Sequence, residues 1–107
     1  MSATFAAIRK LIELRDLRIS EHGYDELAED GLTVTEVLGG ITDAQVIEDY
    51  PDYPKGPSVL VLQFDQEGRP IHSVWGIPKG HTRPAVLVTA YRPDPARWNA
   101  AFTERRK

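Results

Sequence analysis

The sequence predicts an α+β domain in which N-terminal helices pack on a mainly antiparallel sheet of about four strands, followed by a short C-terminal helix. Apolar residues recur every three or four positions up to residue 40, and every second position from residue 44 onwards. The three strands predicted between residues 58 and 91 have short connections, which favours antiparallel neighbours. The length of 107 residues corresponds to a single domain, 1–107.

Two helices are predicted first. The first spans residues 2–15, with Ser2 or Thr4 as N-cap and an apolar face formed by Phe5, Ile8, Leu11, Ile12 and Leu14. The second begins at Ser20, another N-cap residue, and ends near Gly31, a good C-cap residue. We expect its inward face to carry Tyr24, Leu27 and Ala28.

The third helix and the strands follow. Thr33 and Glu36 form a capping-box pattern at the start of a short helix that ends at Gly39-Gly40. Strands are predicted over 44–50, 58–64, 70–77 and 84–91. The three prolines within 50–57 exclude a central strand or a helix there, because proline lacks the backbone donor. Asp94 is predicted to cap a C-terminal helix that holds Trp98 and Phe102.

Composition limits the possible functions. The chain has no cysteine, which excludes disulfides and thiolate metal sites, and its net charge is −3. The negative charge offers no general attraction to nucleic acid or anionic lipid. The N-terminus lacks the pattern of a secretory signal and no apolar run approaches a membrane span, so we expect a cytoplasmic protein of bacterial type with no membrane association.

Several motifs resemble a known family. They are Ser20-Glu21-His22, Gly31-Leu32-Thr33, the acidic-Tyr-Pro turn at 48–51, Gly-Arg-Pro-Ile-His at 68–72, and the run from Val88 to Trp98. Over residues 17–107 the chain resembles a bacterial family of small domains of unknown function and, more distantly, the BrnT and RelE-like toxins of type II toxin–antitoxin pairs. The resemblance to those toxins implies messenger RNA cleavage, usually on the ribosome, by a few Arg, Lys, His, Tyr or Glu residues on the sheet. The close family usually carries an arginine where this chain has Asp30.

Three residues are candidates for catalysis. His72, on a strand, is suited to act as a general acid or base, and Tyr91 at the end of a neighbouring strand could donate a proton or stack on a base. His22 lies at a helix N-terminus, where the helix dipole disfavours its charged form, so it is a candidate neutral base. The structural alternatives are a core histidine bonded to a carbonyl, a core tyrosine and a packed helix-start residue. We expect His72 and Tyr91 to lie on adjacent strands and to share a face.

Three arginines at strand ends are candidates for phosphate binding, namely Arg69, Arg83 and Arg92. A solvated rim, or salt bridges to Asp94 or Glu48, is the structural alternative. The histidines and carboxylates show no recognised metal spacing, and no phosphate loop or dinucleotide fingerprint is present, so neither metal nor cofactor is predicted.

Two functions follow from these features. The first is a toxin-like, metal-independent endoribonuclease of a toxin–antitoxin pair, with an antitoxin-like protein and RNA or the ribosome as partners. The second is a non-catalytic protein-interaction domain that uses the exposed sheet face, and the acidic net charge favours it. Weak binding to free RNA is expected in either case. The sequence does not indicate an oligomeric state.

Overall fold

The computed structural model describes residues 2–107. Its elements are α1 (Ala3–Glu13), β1 (Leu17–Ile19), α2 (Glu21–Glu29), α3 (Val34–Gly40), β2 (Gln45–Tyr50), β3 (Ser58–Phe64), β4 (Pro70–Gly76) and β5 (Ala85–Tyr91). The α+β class is confirmed. None of the helices in this part of the chain is long and apolar enough to cross a membrane.

Within residues 2–107 the sheet is mixed and has five strands, in the order β1-β5-β4-β3-β2. Strand β1 pairs with β5 in parallel, and the other three pairings are antiparallel. The prediction of about four strands was therefore one short, because β1 was not recognised. With three residues it is too short to show a period of two, and its partner lies at the far end of the sequence.

The predicted helix starts are confirmed. Ser2 accepts a hydrogen bond from the backbone of Phe5, Ser20 accepts one from Gly23, and Thr33 and Glu36 form the reciprocal capping box. These side chains satisfy backbone donors that have no partner within the helix.

The inward face of α2 was predicted incorrectly. Leu27 is buried, but Tyr24 is 57% exposed and Ala28 is exposed too. Gly23 faces the sheet instead, because α2 lies so close to β5 that a Cβ atom at Gly23 would be 2.9 Å from the carbonyl oxygen of Leu87. Gly23 and Leu27, four residues apart, form the inward side of α2, and Tyr24 therefore faces solvent.

The main core lies on the face of the sheet that the three helices cover, which we call the helix face. It contains residues of both the helices and the sheet, including Phe5, Ile8, Val37, Val61, Ile71, Trp75 and Leu87. A series of hydrogen bonds between buried polar side chains crosses this core. Gln63 donates from Nε2 to the Val37 carbonyl (2.7 Å) and accepts from Ser73 (2.7 Å), which in turn accepts from the indole of Trp75 (3.2 Å).

The opposite face of the sheet is partly covered by residues 93–107, which we call the C-terminal segment. The helix predicted there is absent. Asp94 does accept a bond from the Ala96 backbone (2.8 Å), but only a turn follows it. The side chain of Asn99 then accepts from the backbone of Thr103 (2.8 Å), and Phe102 has a positive φ of 60°. Such local side-chain bonds compete with a helix, and the segment folds back as a small loop closed by an antiparallel bridge between Trp98 and Arg105.

Candidate functional site

His72 and Tyr91 form a directly opposed pair on β4 and β5. The Nδ1 atom of His72 lies 3.3 Å from the Tyr91 hydroxyl oxygen, and the ring centroids are 5.4 Å apart. Strand alternation directs both side chains away from Ile71, which lies in the core of the helix face. The prediction that the two residues share a face on adjacent strands is confirmed.

The C-terminal segment closes over this pair. The ring of Trp98 meets the imidazole edge-to-face at 4.4 Å between centroids, and His72 Nε2 lies 2.9 Å from the carbonyl oxygen of Phe102. Since a carbonyl only accepts, Nε2 carries the hydrogen and Nδ1 accepts from Tyr91. His72 is completely buried, and burial lowers its pKa below the usual value of 6.5.

An ion pair fixes the end of the segment to the sheet edge. The guanidinium of Arg105 donates to both carboxylate oxygens of Glu48 on β2, over 2.8 and 3.0 Å, and lies 4.8 Å from the ring centroid of Trp98. Glu48 also accepts from the hydroxyl of Tyr50 (2.8 Å). The bonds from Arg105 lower the pKa of Glu48, and the bond to Glu48 raises the pKa of Tyr50. Glu48 and Arg105 were not among the predicted site residues.

Arg69 and Arg92 meet at a carboxylate. Both guanidinium groups contact Asp65, whose side chain is only 3% exposed, at 3.2 Å from Arg69 and 2.8 Å from Arg92. Backbone hydrogen bonding from Arg69 and the guanidinium of Arg92 lower the pKa of Asp65 to about 2. Arg92 also approaches Glu36 at 4.0 Å. The positive charge of this pair is therefore matched by carboxylates of the chain itself.

Arg83 lies elsewhere, where it pairs with Asp16 before β1. The three arginines thus do not converge on one anion site. The arginines form salt bridges, which was the structural alternative to phosphate binding. Their partners are Asp65, Glu67 and Asp16 rather than the expected Asp94 or Glu48.

His22 is separated from His72 by the sheet. It lies in α2, which packs on the helix face, and its exposed side chain approaches Glu26 at 3.4 Å. Asp30, where the resemblance led us to expect an arginine, accepts a 2.8 Å hydrogen bond from the backbone N–H of Arg92. In this chain Asp30 ties the end of α2 to the end of β5.

An open groove occupies the part of the same sheet face that the C-terminal segment leaves uncovered. We call it the tyrosine groove. It has a volume of about 510 Å³ and is lined by residues that include Arg18, Tyr50, Tyr53, Lys55, Val74, Ile77, Val86 and Val88. Tyr50 is 46% exposed, Tyr53 51% and Val88 36%. Sequence reasoning identified the loop 50–57 only by its prolines, although its two tyrosines and lysine are the signal that could have indicated a surface.

A larger cavity of about 600 Å³ lies near the β3–β4 turn and is acidic, with Glu36, Asp43, Asp65 and Glu67 in its wall. Within residues 2–107, no group of three or more histidine and carboxylate side chains is arranged to hold a metal ion.

Comparison with known proteins gives one match. A family model described as a domain of unknown function (DUF4258) matches residues 19–92, well over half of the chain. The matched range contains His72 and Tyr91 but neither α1 nor the C-terminal segment. No match was found among curated proteins or among solved structures. The resemblance to small domains of unknown function is confirmed, and the more distant likeness to BrnT and RelE-like toxins stays a prediction.

Proposed function

We propose that this chain, which belongs to the DUF4258 family of domains of unknown function, is a protein-interaction domain that binds its partner through the tyrosine groove. The observation that carries the proposal is the exposure of large side chains at this place. Tyr50, Tyr53 and Val88 are each more than one-third exposed beside the aliphatic floor of Val74 and Val86. A contiguous apolar surface of this kind is costly to leave in water, and tyrosine is enriched in protein interfaces.

The state of the candidate catalytic residues also supports binding rather than catalysis. A general base needs a free lone pair within reach of substrate, whereas both ring nitrogens of His72 are engaged and the ring is completely buried. The guanidinium groups of Arg69 and Arg92 have carboxylate partners within the chain. Phosphate would have to displace those carboxylates before it could bind.

The test is affinity capture with three forms of the intact chain. Wild type, Val88→Arg and a control, Lys10→Glu, which changes an exposed residue of α1, are immobilised, and the retained proteins are identified. We expect at least one protein to be retained by wild type and by Lys10→Glu and not to be retained by Val88→Arg. The purified partner should then slow amide exchange along β5 near Val88. A partner held equally by all three forms would contradict the proposal.

A metal-independent endoribonuclease of a toxin–antitoxin pair is the second candidate. The observation that favours it is the contact between His72 and Tyr91, with the Glu48–Arg105 ion pair on the same face. These are residue types suited to acid–base chemistry and phosphate binding, and the C-terminal segment would have to move to admit RNA.

Expression in a bacterial host tests this candidate. A ribonuclease toxin should slow growth, and His72→Ala should relieve the effect while the variant stays folded. Soluble, folded wild-type protein with no effect on growth, and no cleavage of RNA or ribosome-bound message by the purified chain, would exclude the second candidate.

A further inference from the structure

The lining of the tyrosine groove includes residues from both edges of the sheet. It reaches from Arg18 on β1 to Tyr50 on β2, and these two strands form opposite edges of the five-stranded sheet. Four strand spacings correspond to a width of about 19 Å, which is the length of about six residues of extended chain. A groove of this shape suits a segment of polypeptide better than a compact small molecule.

The charge of the groove is opposite to that of the whole chain. Arg18 and Lys55 line it, and none of the described residues in its lining carries a carboxylate, although the net charge of the protein is −3. Three further cavities, of about 600, 200 and 500 Å³, have Glu36, Glu13 and Asp49, respectively, among the residues in their walls. The cations therefore lie where they remain available to an acidic ligand.

The walls of the groove are held in position by the fold. Gly56, with φ of +124°, packs so tightly that a Cβ atom there would overlap the carbonyl oxygen of Ile77. The backbone of Lys55 accepts a 3.1 Å bond from Lys79, and the hydroxyl of Tyr50 is bonded to Glu48. A preformed surface loses little conformational entropy when a ligand binds.

We propose that the tyrosine groove binds an acidic, extended segment of a partner protein that carries aliphatic or aromatic anchor residues. This inference rests on the proposed function and specifies the partner's chemistry. The anchors contact Val74, Val86 and Val88 and pack against the tyrosine rings, and the carboxylates pair with Arg18 and Lys55. RNA fits less well, because two cations neutralise few phosphates and the rest of the chain repels a polyanion.

The test uses four labelled probes with the intact protein, read by fluorescence anisotropy. They are an eight-residue peptide of alternating glutamate and leucine, the same peptide with lysine for glutamate, the same peptide with serine for leucine, and a single-stranded RNA octamer. We expect the glutamate–leucine peptide to bind at least ten-fold more tightly than each of the others.

Charge reversal by Arg18→Glu with Lys55→Glu should weaken binding of the acidic peptide at least ten-fold. Lys10→Glu with Arg97→Glu, which lowers the net charge equally outside the groove, should change it less than two-fold. Tyr53→Ser leaves Arg18 and Lys55 in place and should weaken the binding of both peptides that contain leucine. Circular dichroism of each variant verifies folding.

The remaining outcomes separate the two levels of the proposal. Equal binding of the glutamate and lysine peptides, with loss in Tyr53→Ser, would overturn the acidic partner and leave the interaction domain standing. Tighter binding of the RNA octamer than of the peptides would overturn the inference and indicate a nucleic-acid ligand instead. Failure of all peptides to bind would overturn it as well, while the capture experiment with Val88→Arg judges the interaction domain independently.

Discussion

The Nε2 atom of His72 and the carbonyl oxygen of Phe102 are 2.9 Å apart, so a side chain at the centre of the sheet is joined to the backbone of the C-terminal segment. This bond requires a hydrogen on Nε2, and the unprotonated Nδ1 accepts a hydrogen bond from the Tyr91 hydroxyl, 3.3 Å away. The neutral imidazole is fully satisfied by these two partners. A second ring proton would break the bond with Tyr91 as it is now directed.

We expect stability to fall as the pH is lowered through about 6.5, the usual pKa of histidine. Burial lowers the pKa of His72 in the folded chain, so below 6.5 the unfolded chain binds more protons than the folded one. The free energy of unfolding then decreases by up to about 1.4 kcal/mol per pH unit until the folded pKa is reached. Urea unfolding between pH 7.5 and 5.5 measures this slope. The variant His72→Gln should show a shallower slope, and an unchanged slope would contradict the assignment to His72.

Removal of the Arg105–Glu48 ion pair should loosen the C-terminal segment. Arg105→Ala should reduce the free energy of unfolding by no more than about 1 kcal/mol, because the pair is partly solvated. Amide exchange at Thr103 and Glu104 should nevertheless become faster, since these amides are bonded within the segment that Arg105 attaches to the sheet. Arg83→Ala breaks a comparably exposed pair with Asp16 and is the control. Equal rates of amide exchange at Thr103 and Glu104 in Arg105→Ala and Arg83→Ala would contradict the idea that Arg105 attaches the segment to the sheet.

Ser73→Ala should be strongly destabilising for so small a change. The hydroxyl of Ser73 donates to Gln63 and accepts from Trp75, so its loss leaves two buried polar atoms without that partner. Unpaired buried groups cost about 1–3 kcal/mol each, and we expect a loss of about 2 kcal/mol or more. Denaturant titration measures the loss, with Thr35→Ala on the exposed face of α3 as the control. A loss equal to that of the control would show that Ser73 does not satisfy these groups.

Gly56→Ala and Gly39→Ala should have opposite effects. A Cβ atom at Gly56 would overlap the backbone of Ile77 and φ there is positive, so we expect a loss of at least about 2 kcal/mol and displacement of the loop that carries Tyr53. Gly39 lies in α3 with open space around it, and alanine there should stabilise the chain by up to about 1 kcal/mol. Thermal unfolding of both variants is the measurement. A Gly56→Ala variant as stable as wild type would contradict the tight packing.

The parts of the fold that the sequence predicted are those specified by local signals. The caps at Ser2, Ser20 and Thr33 act within a few residues of their own position. Strand β1 was missed because it pairs with β5, which lies far along the sequence, and residues 17–19 carry no independent pattern. The C-terminal helix was predicted from Asp94, and the capping hydrogen bond to Asp94 does form. No helix follows, because the side chain of Asn99 accepts the hydrogen bond of the Thr103 backbone amide.

The candidate site was predictable in part for the same physical reason. The opposition of His72 and Tyr91 follows from strand alternation and short connections, both readable from the sequence. Their burial depends on Trp98 and Phe102 in a segment of irregular structure, and the arginine partners depend on how distant loops meet. Asp65 meets Arg92 only after β3, β4 and β5 have assembled.

The parallel pairing of β1 with β5 has a consequence for the order in which the chain folds. Ser20, at the end of β1, bonds to Val88 across a separation of 68 residues, and β5 lies between β1 and β4 in the finished sheet. Strand β1 therefore has no neighbour to pair with until β5, 68 residues further along, has been synthesised and has left the ribosome. Closing so long a loop is slow, so we expect β2, β3 and β4 to assemble first and the docking of β1 to be among the last steps.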